Sequence, residues 1–100
     1  MPEDPLATLK KIDPEIIDHL AGMDQHVFGD GALPRKIKLL MAMAFDAAHG
    51  AQGGVRALAL SAMKEGATTK EIAEALRVAY HLSGVGALYV GSMGLKDVVE

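Results

Sequence analysis

The sequence contains no cysteine and no tryptophan. The first absence excludes disulfides, thiolate metal sites and cysteine nucleophiles together. Aromatic residues are scarce: Phe28, Phe45, Tyr80 and Tyr89 are the whole set. Alanine, leucine and methionine must therefore form the core, a composition that favours helix over sheet. Proline does not recur after Pro34, so the rest of the chain is free of the strongest helix breaker. There is no basic run either. Ten Lys and Arg stand against thirteen Asp and Glu, a formal charge of -3, which argues against nucleic acid and acidic membrane surfaces as partners. No apolar stretch is long enough to cross a bilayer. Met1-Pro2-Glu3-Asp4 lacks the basic start and apolar stretch of a signal peptide, and a cytoplasmic location is expected.

What is present describes one folded domain. Apolar residues make up 50% and charged residues 23% of 100 residues, enough for one modest core. Residues 1–12 read as a polar, proline-containing lead-in, expected to be partly mobile, before a helical domain over 13–100. Asp13-Pro14-Glu15 has the form of an N-cap, a proline at the first helical position and an acid in the first turn. Ile16, Leu20, Met23 and Val27 then follow at helical spacing, and Gly29-Asp30-Gly31 ends the run. Leu33-Pro34 opens a second helix reaching to about Ala48. It carries Ile37, Leu40, Met41 and Ala44 on one face, and Leu39, Ala42 and Met43 on the other. A helix apolar nearly all round is covered on both sides, and in so small a domain the second cover is expected to come from another subunit.

Gly50, Gly53 and Gly54 separate that helix from one carrying Val55, Leu58, Ala59, Ala62 and Met63, with Gly66 as its stop. Thr68-Thr69-Lys70-Glu71 matches a capping box and starts a helix that ends at Gly84. The last helix is expected from about Ala87 to Val99. Gly91 and Gly94 inside it cost roughly 1 kcal/mol each against alanine, which close backbone packing must offset. No strand alternation or internal repeat occurs. The fold class is all-α, a single five- to six-helix domain that assembles as an oligomer.

Three blocks, LPRKIK at 33–38, EGATTKEIAEALRVA at 65–79 and LSGVGAL at 82–88, resemble in order and separation the carboxymuconolactone decarboxylase family. That family includes the alkylhydroperoxidase D-like proteins. The resemblance implies an all-helical domain forming homo-oligomers, trimers or hexamers, and it agrees with the doubly apolar second helix. It does not bring the family chemistry with it. Alkylhydroperoxidase-type members use a relay glutamate, a Cys-x-x-Cys with a histidine inside it, and a further histidine beyond. The positions matching these are Leu39 for the glutamate, Ala51 and Gly54 for the cysteines, and Gly53 and Leu58 for the histidines. None has an acid, base or thiol. Decarboxylase-type members also lack the cysteines but keep a histidine where Leu58 stands. Fold and reaction have separated, and fold alone does not license a reaction.

The acid–base groups that remain are few. Asp46 and His49 are three apart at the end of the second helix, on neighbouring parts of one face. Asp46 also follows Leu39 by seven residues, at nearly the same helical angle and about 10 Å further along. Two readings stand for this pair: catalytic residues of a cofactor-independent enzyme on a small organic acid or lactone, or a cation at a helix C-terminus with its carboxylate partner. No third ligand for a metal is nominated, and no cofactor is expected. Gly50-Ala51-Gln52-Gly53-Gly54 precedes a helix start and has no Lys-Ser/Thr of a phosphate loop. With Arg56 in the first turn, Gln52, Gly53, Gly54 and Arg56 form a candidate site for a small anion. Glu74, Arg77 and His81 read as a solvated face, His19 and His26 as surface residues, Tyr80 as a core or interface residue, and the methionines as gap-fillers. Three functions follow: an acid–base enzyme of lyase or decarboxylase type, a non-catalytic ligand-binding or interaction oligomer, and, least supported, peroxidase activity of the alkylhydroperoxidase type.

Overall fold

Asp13 begins the first long helix as its residue types require. Its carboxylate accepts from the Ile16 N–H at 3.2 Å, Pro14 occupies the first turn and Glu15 faces the positive end of the dipole. In the computed structural model, which describes Asp4 and residues 6–99, there are six helices among the described residues. They are α1 (Ala7–Ile12), α2 (Pro14–Phe28), α3 (Arg35–Ala48), α4 (Gln52–Lys64), α5 (Thr69–Ser83) and α6 (Gly86–Leu95). Most of the acidic start of the lead-in, at 1–3, lies outside the described residues. The part of it that is described holds α1, which the sequence pattern does not announce. Asp4 accepts from the Leu6 N–H and from the Lys10 ammonium, closing that short helix.

The connections are built from local chemistry. Arg35 N–H donates to Asp30 Oδ1 at 2.7 Å, so an aspartate five residues upstream caps α3 where Pro34 offers no side-chain acceptor. Lys38 Nζ donates to the Gly29 carbonyl at 2.7 Å and satisfies the end of α2. After α4, the Gly66 N–H bonds the Met63 carbonyl and the Ala67 N–H bonds the Ala62 carbonyl, the paired pattern of a Schellman stop. It requires the left-handed backbone found at Gly66, where φ is +96°. Thr68 and Glu71 then complete the capping box of α5.

Four helices share the core. α3 packs on α4, α5 and α6, while α4 and α5 also pack on α6. Leu39, Met43, Val55 and Ile72 are the largest fully enclosed side chains. Small residues let the backbones approach: a Cβ at Gly91 would come within 2.8 Å of both Leu76 methyls, and one at Gly94 within 2.8 Å of the Gln52 carbonyl oxygen and Val55. The two glycines of the last helix are thus accounted for by contact. That helix ends at Leu95, short of the expected Val99: Lys96 leaves the helix with ψ 131° and Asp97 takes the left-handed conformation at φ +68°. In contrast, α1 and α2 bury no residue fully.

The first two of the blocks that carry the family resemblance are tied to one another. Arg35 Nε lies 3.8 Å from Glu65 Oε2, and Lys36 Nζ donates to Glu71 Oε2 at 3.0 Å. The first pair joins the start of α3 to the end of α4, and the second joins it to the start of α5. These residues hold the helices in register.

Candidate functional site

Asp46 and His49 stand on the last turn of α3 and diverge. The Asp46 carboxylate is directed at the first turn of α4, into the space a side chain at Gly54 would need. A Cβ there would collide with Asp46 Oδ2 and lie 2.7 Å from Cγ. The Asp46 carbonyl also accepts from the Ala51 N–H at 2.8 Å, which closes the turn between the two helices. His49 terminates α3 and is exposed. Its ring stacks on Phe45, with centroids 6.3 Å apart and planes at 16°. No hydrogen bond joins Asp46 to His49 among the described residues.

The positions matching the family's functional residues divide in the same way. Leu39 is 2% exposed in the centre of the core, and Leu58 packs against that core. Both positions are apolar filling of the core. Gly54 meets the Asp46 carboxylate, while Ala51 is exposed as the N-cap of α4 and Gly53 has open space about it. The turn from Ala51 to Gly54 is therefore closed on its α3 side and open on the other.

The open side is a cleft of about 300 Å³ lined by Gln52, Gly53, Arg56, Met93, Gly94, Lys96 and Asp97. Its walls are the first turn of α4 and the end of α6. Ala51 has no side-chain acceptor, so no side chain caps the start of α4; the Gln52 N–H bonds the Gly50 carbonyl at 3.1 Å, and the positive end of the dipole opens here. Arg56 Nη1 donates to the Lys96 carbonyl at 2.9 Å, which satisfies the last turn of α6 and fixes the guanidinium beside the cleft. Two cations and one carboxyl amide thus line it with a single carboxylate, Asp97. A larger, mainly apolar hollow of about 640 Å³ adjoins it and shares Met93 and Lys96.

Of the residues nominated from sequence for a ligand, Gln52, Gly53 and Arg56 line this cleft, and Gly54 faces Asp46. Lys96, Asp97 and Met93 were not foreseen. Their spacing of three and four residues puts them on one face of a helix, but no local signal says that this face meets the start of α4. Among the described residues no three histidine, aspartate or glutamate side chains converge as metal ligands. No helix among them is long and apolar enough to cross a membrane. His19, His26 and His81 are exposed.

Comparison with known proteins completes the picture. The model of the carboxymuconolactone decarboxylase family matches residues 14–91. A crystal structure of an apo carboxymuconolactone decarboxylase family protein from Legionella pneumophila superposes with a TM-score of 0.82 at 31% identity, covering 91% of this chain and 81% of that one. No curated protein matches in sequence.

Proposed function

The chain belongs to the carboxymuconolactone decarboxylase family, and from that premise we propose that it binds a small organic acid without thiol chemistry, in the cleft between α4 and the end of α6. The observation that carries this reading is that Arg56 and Lys96 line one cleft at a helix start with no side-chain cap. A carboxylate there meets two cations and backbone N–H groups, a set suited to charge-assisted hydrogen bonds. The body of the acid extends past Met93 toward the apolar hollow at Leu76 and Leu88. No cofactor or metal is needed for this role. The working form is a homo-oligomer, a trimer or hexamer as in the family at large.

Lys96 gives the cleaner test, because its link to Arg56 runs through its backbone carbonyl and survives substitution of the side chain. In a calorimetric titration with a panel of small mono- and dicarboxylates, Lys96→Ala is expected to weaken the best binder about tenfold, corresponding to one charge-assisted hydrogen bond. Absence of binding by every acid, or equal affinity in wild type and variant, overturns the reading.

A second reading rests on Asp46. Its carboxylate sits against Gly54, the position matching a family cysteine, so an acid–base group stands beside the old reaction centre. In that reading Asp46, with His49, serves a cofactor-independent enzyme acting on a lactone or small acid. Asp46→Asn then abolishes turnover of a lactone panel with the fold intact. Unchanged turnover in the variant rejects it.

A further inference from the structure

Three charged residues line the cleft between α4 and the end of α6, and they do not neutralise one another. Arg56, Lys96 and Asp97 share a space of about 300 Å³, yet the ion pairs among the described residues involve other side chains. One guanidinium N–H of Arg56 is taken by the Lys96 carbonyl, which leaves the rest of its donors for another acceptor. Asp97 stands on the turn that leaves α6, at φ +68°. Beside these charges the hollow of about 640 Å³ begins at Met93 and Lys96, the two residues it shares with the cleft, and Leu76, Leu88 and Leu95 are in its wall. A plain monocarboxylate answers the two cations but leaves the Asp97 carboxylate without a partner. A dicarboxylate is worse, because its second charge meets Asp97 as a like charge.

We propose that the ligand of this cleft is a free α-amino acid with an aliphatic side chain. This rests on the reading that the cleft holds a carboxylate, and it narrows the class of acid. The ligand carboxylate accepts from Arg56 and Lys96, and its ammonium donates to the Asp97 carboxylate. The side chain passes Met93 and lies against Leu76 and Leu88. One small molecule thus answers both signs of charge and the apolar wall. The two cations outnumber the single carboxylate, which disfavours an amine that lacks an acid group. A peptide C-terminus fits poorly too, because the nitrogen next to its carboxylate is an amide and carries no charge. Asp97 is the residue that sets specificity: it selects for the ammonium and against a second carboxylate.

The test is calorimetric titration of the purified full chain with leucine, with isocaproate, which has the same skeleton without the ammonium, and with isoamylamine, which lacks the carboxylate. Leucine is expected to bind about tenfold more tightly than isocaproate, and isoamylamine more weakly than either. Asp97→Asn is the informative variant, because asparagine adopts the left-handed backbone as aspartate does and keeps the turn. Circular dichroism checks its helical content. In this variant leucine should lose about tenfold in affinity while isocaproate holds or gains, so the preference between them disappears. Lys96→Ala should weaken both, since both carry the carboxylate. Leucine binding no tighter than isocaproate in wild type, or an equal loss of both ligands in Asp97→Asn, overturns the amino acid assignment and leaves the carboxylate site standing. If no acid binds at all, both readings fall.

Discussion

Asp46 and Gly54 compete for one volume, and each limits what the other can be. A methyl at Gly54 must displace a carboxylate on a short side chain whose Cβ is itself only 3.3 Å away. Gly54→Ala is therefore expected to destabilise the fold by about 1–3 kcal/mol in urea denaturation, as overpacking does. In an Asp46→Ala background the same change should be near neutral, and the double-mutant cycle reports the coupling. Additive effects contradict the contact. The glycines of α6 make a paired case. At Gly91 the obstacle is a pair of leucine methyls that can rotate away, whereas at Gly94 it is partly the Gln52 carbonyl, which cannot. Gly94→Ala should lower the unfolding midpoint more than Gly91→Ala, although both gain helix propensity of about 1 kcal/mol.

At the scale of the elements, the start of α5 is the best specified place in the chain. Glu71 Oε1 accepts from the Thr68 N–H at 2.8 Å, Thr68 Oγ1 accepts from the Glu71 N–H at 3.1 Å, and Lys36 reaches across from α3. The Thr68 backbone N–H first, and the Lys36 ammonium second, hold the Glu71 carboxyl below the ordinary glutamate value of 4.5. A folded pKa that is lowered contributes stability above the unfolded value, and that stability is lost as pH falls through the folded one. Stability should thus decline in acid below the ordinary glutamate range, and less steeply in Glu71→Gln. A carbon-detected titration in which Glu71 titrates with the other glutamates would contradict this. Removing the other half of the box, Thr68→Ala, is expected to cost about 1 kcal/mol.

For the whole molecule, the self-association proposed above links folding to assembly. A partner that binds only the folded state raises its stability with concentration. The thermal midpoint of wild type is therefore expected to rise as protein concentration rises. A midpoint independent of concentration would mean that the chain is stable alone. The ion pairs between family blocks act at the same scale, since Arg35 and Lys36 connect α3 to Glu65 and Glu71. The most recognisable residues of this chain therefore preserve helix arrangement, and Leu39 and Leu58 serve packing.

The sequence alone determined what short-range chemistry decides. The all-α class, the limits of α2, α3 and α5, the Asp13 cap, the Gly66 stop and the Thr68 capping box depend on periodicity and on groups a few residues apart, so they were legible before any contact was known, whereas α4 starts at Gln52 and takes in Gly53 and Gly54, which the pattern read as a break. The absence of cysteine likewise ended thiol chemistry without a structure. Two further features escaped this reading: α1, too short to show a stripe, and the end of α6, set by the backbone of Lys96 and Asp97. The directions of side chains required the tertiary structure. Residues three apart on a helix differ by about 60° in heading, and which neighbour fills that angle depends on packing. Asp46 turns to α4 because Gly54 leaves room there, and His49 turns outward onto Phe45. Arg56 and Lys96 meet for the same kind of reason. Forty positions of chain separate them, and only the contact of α4 with α6, permitted by the bare backbone at Gly94, brings them to one cleft.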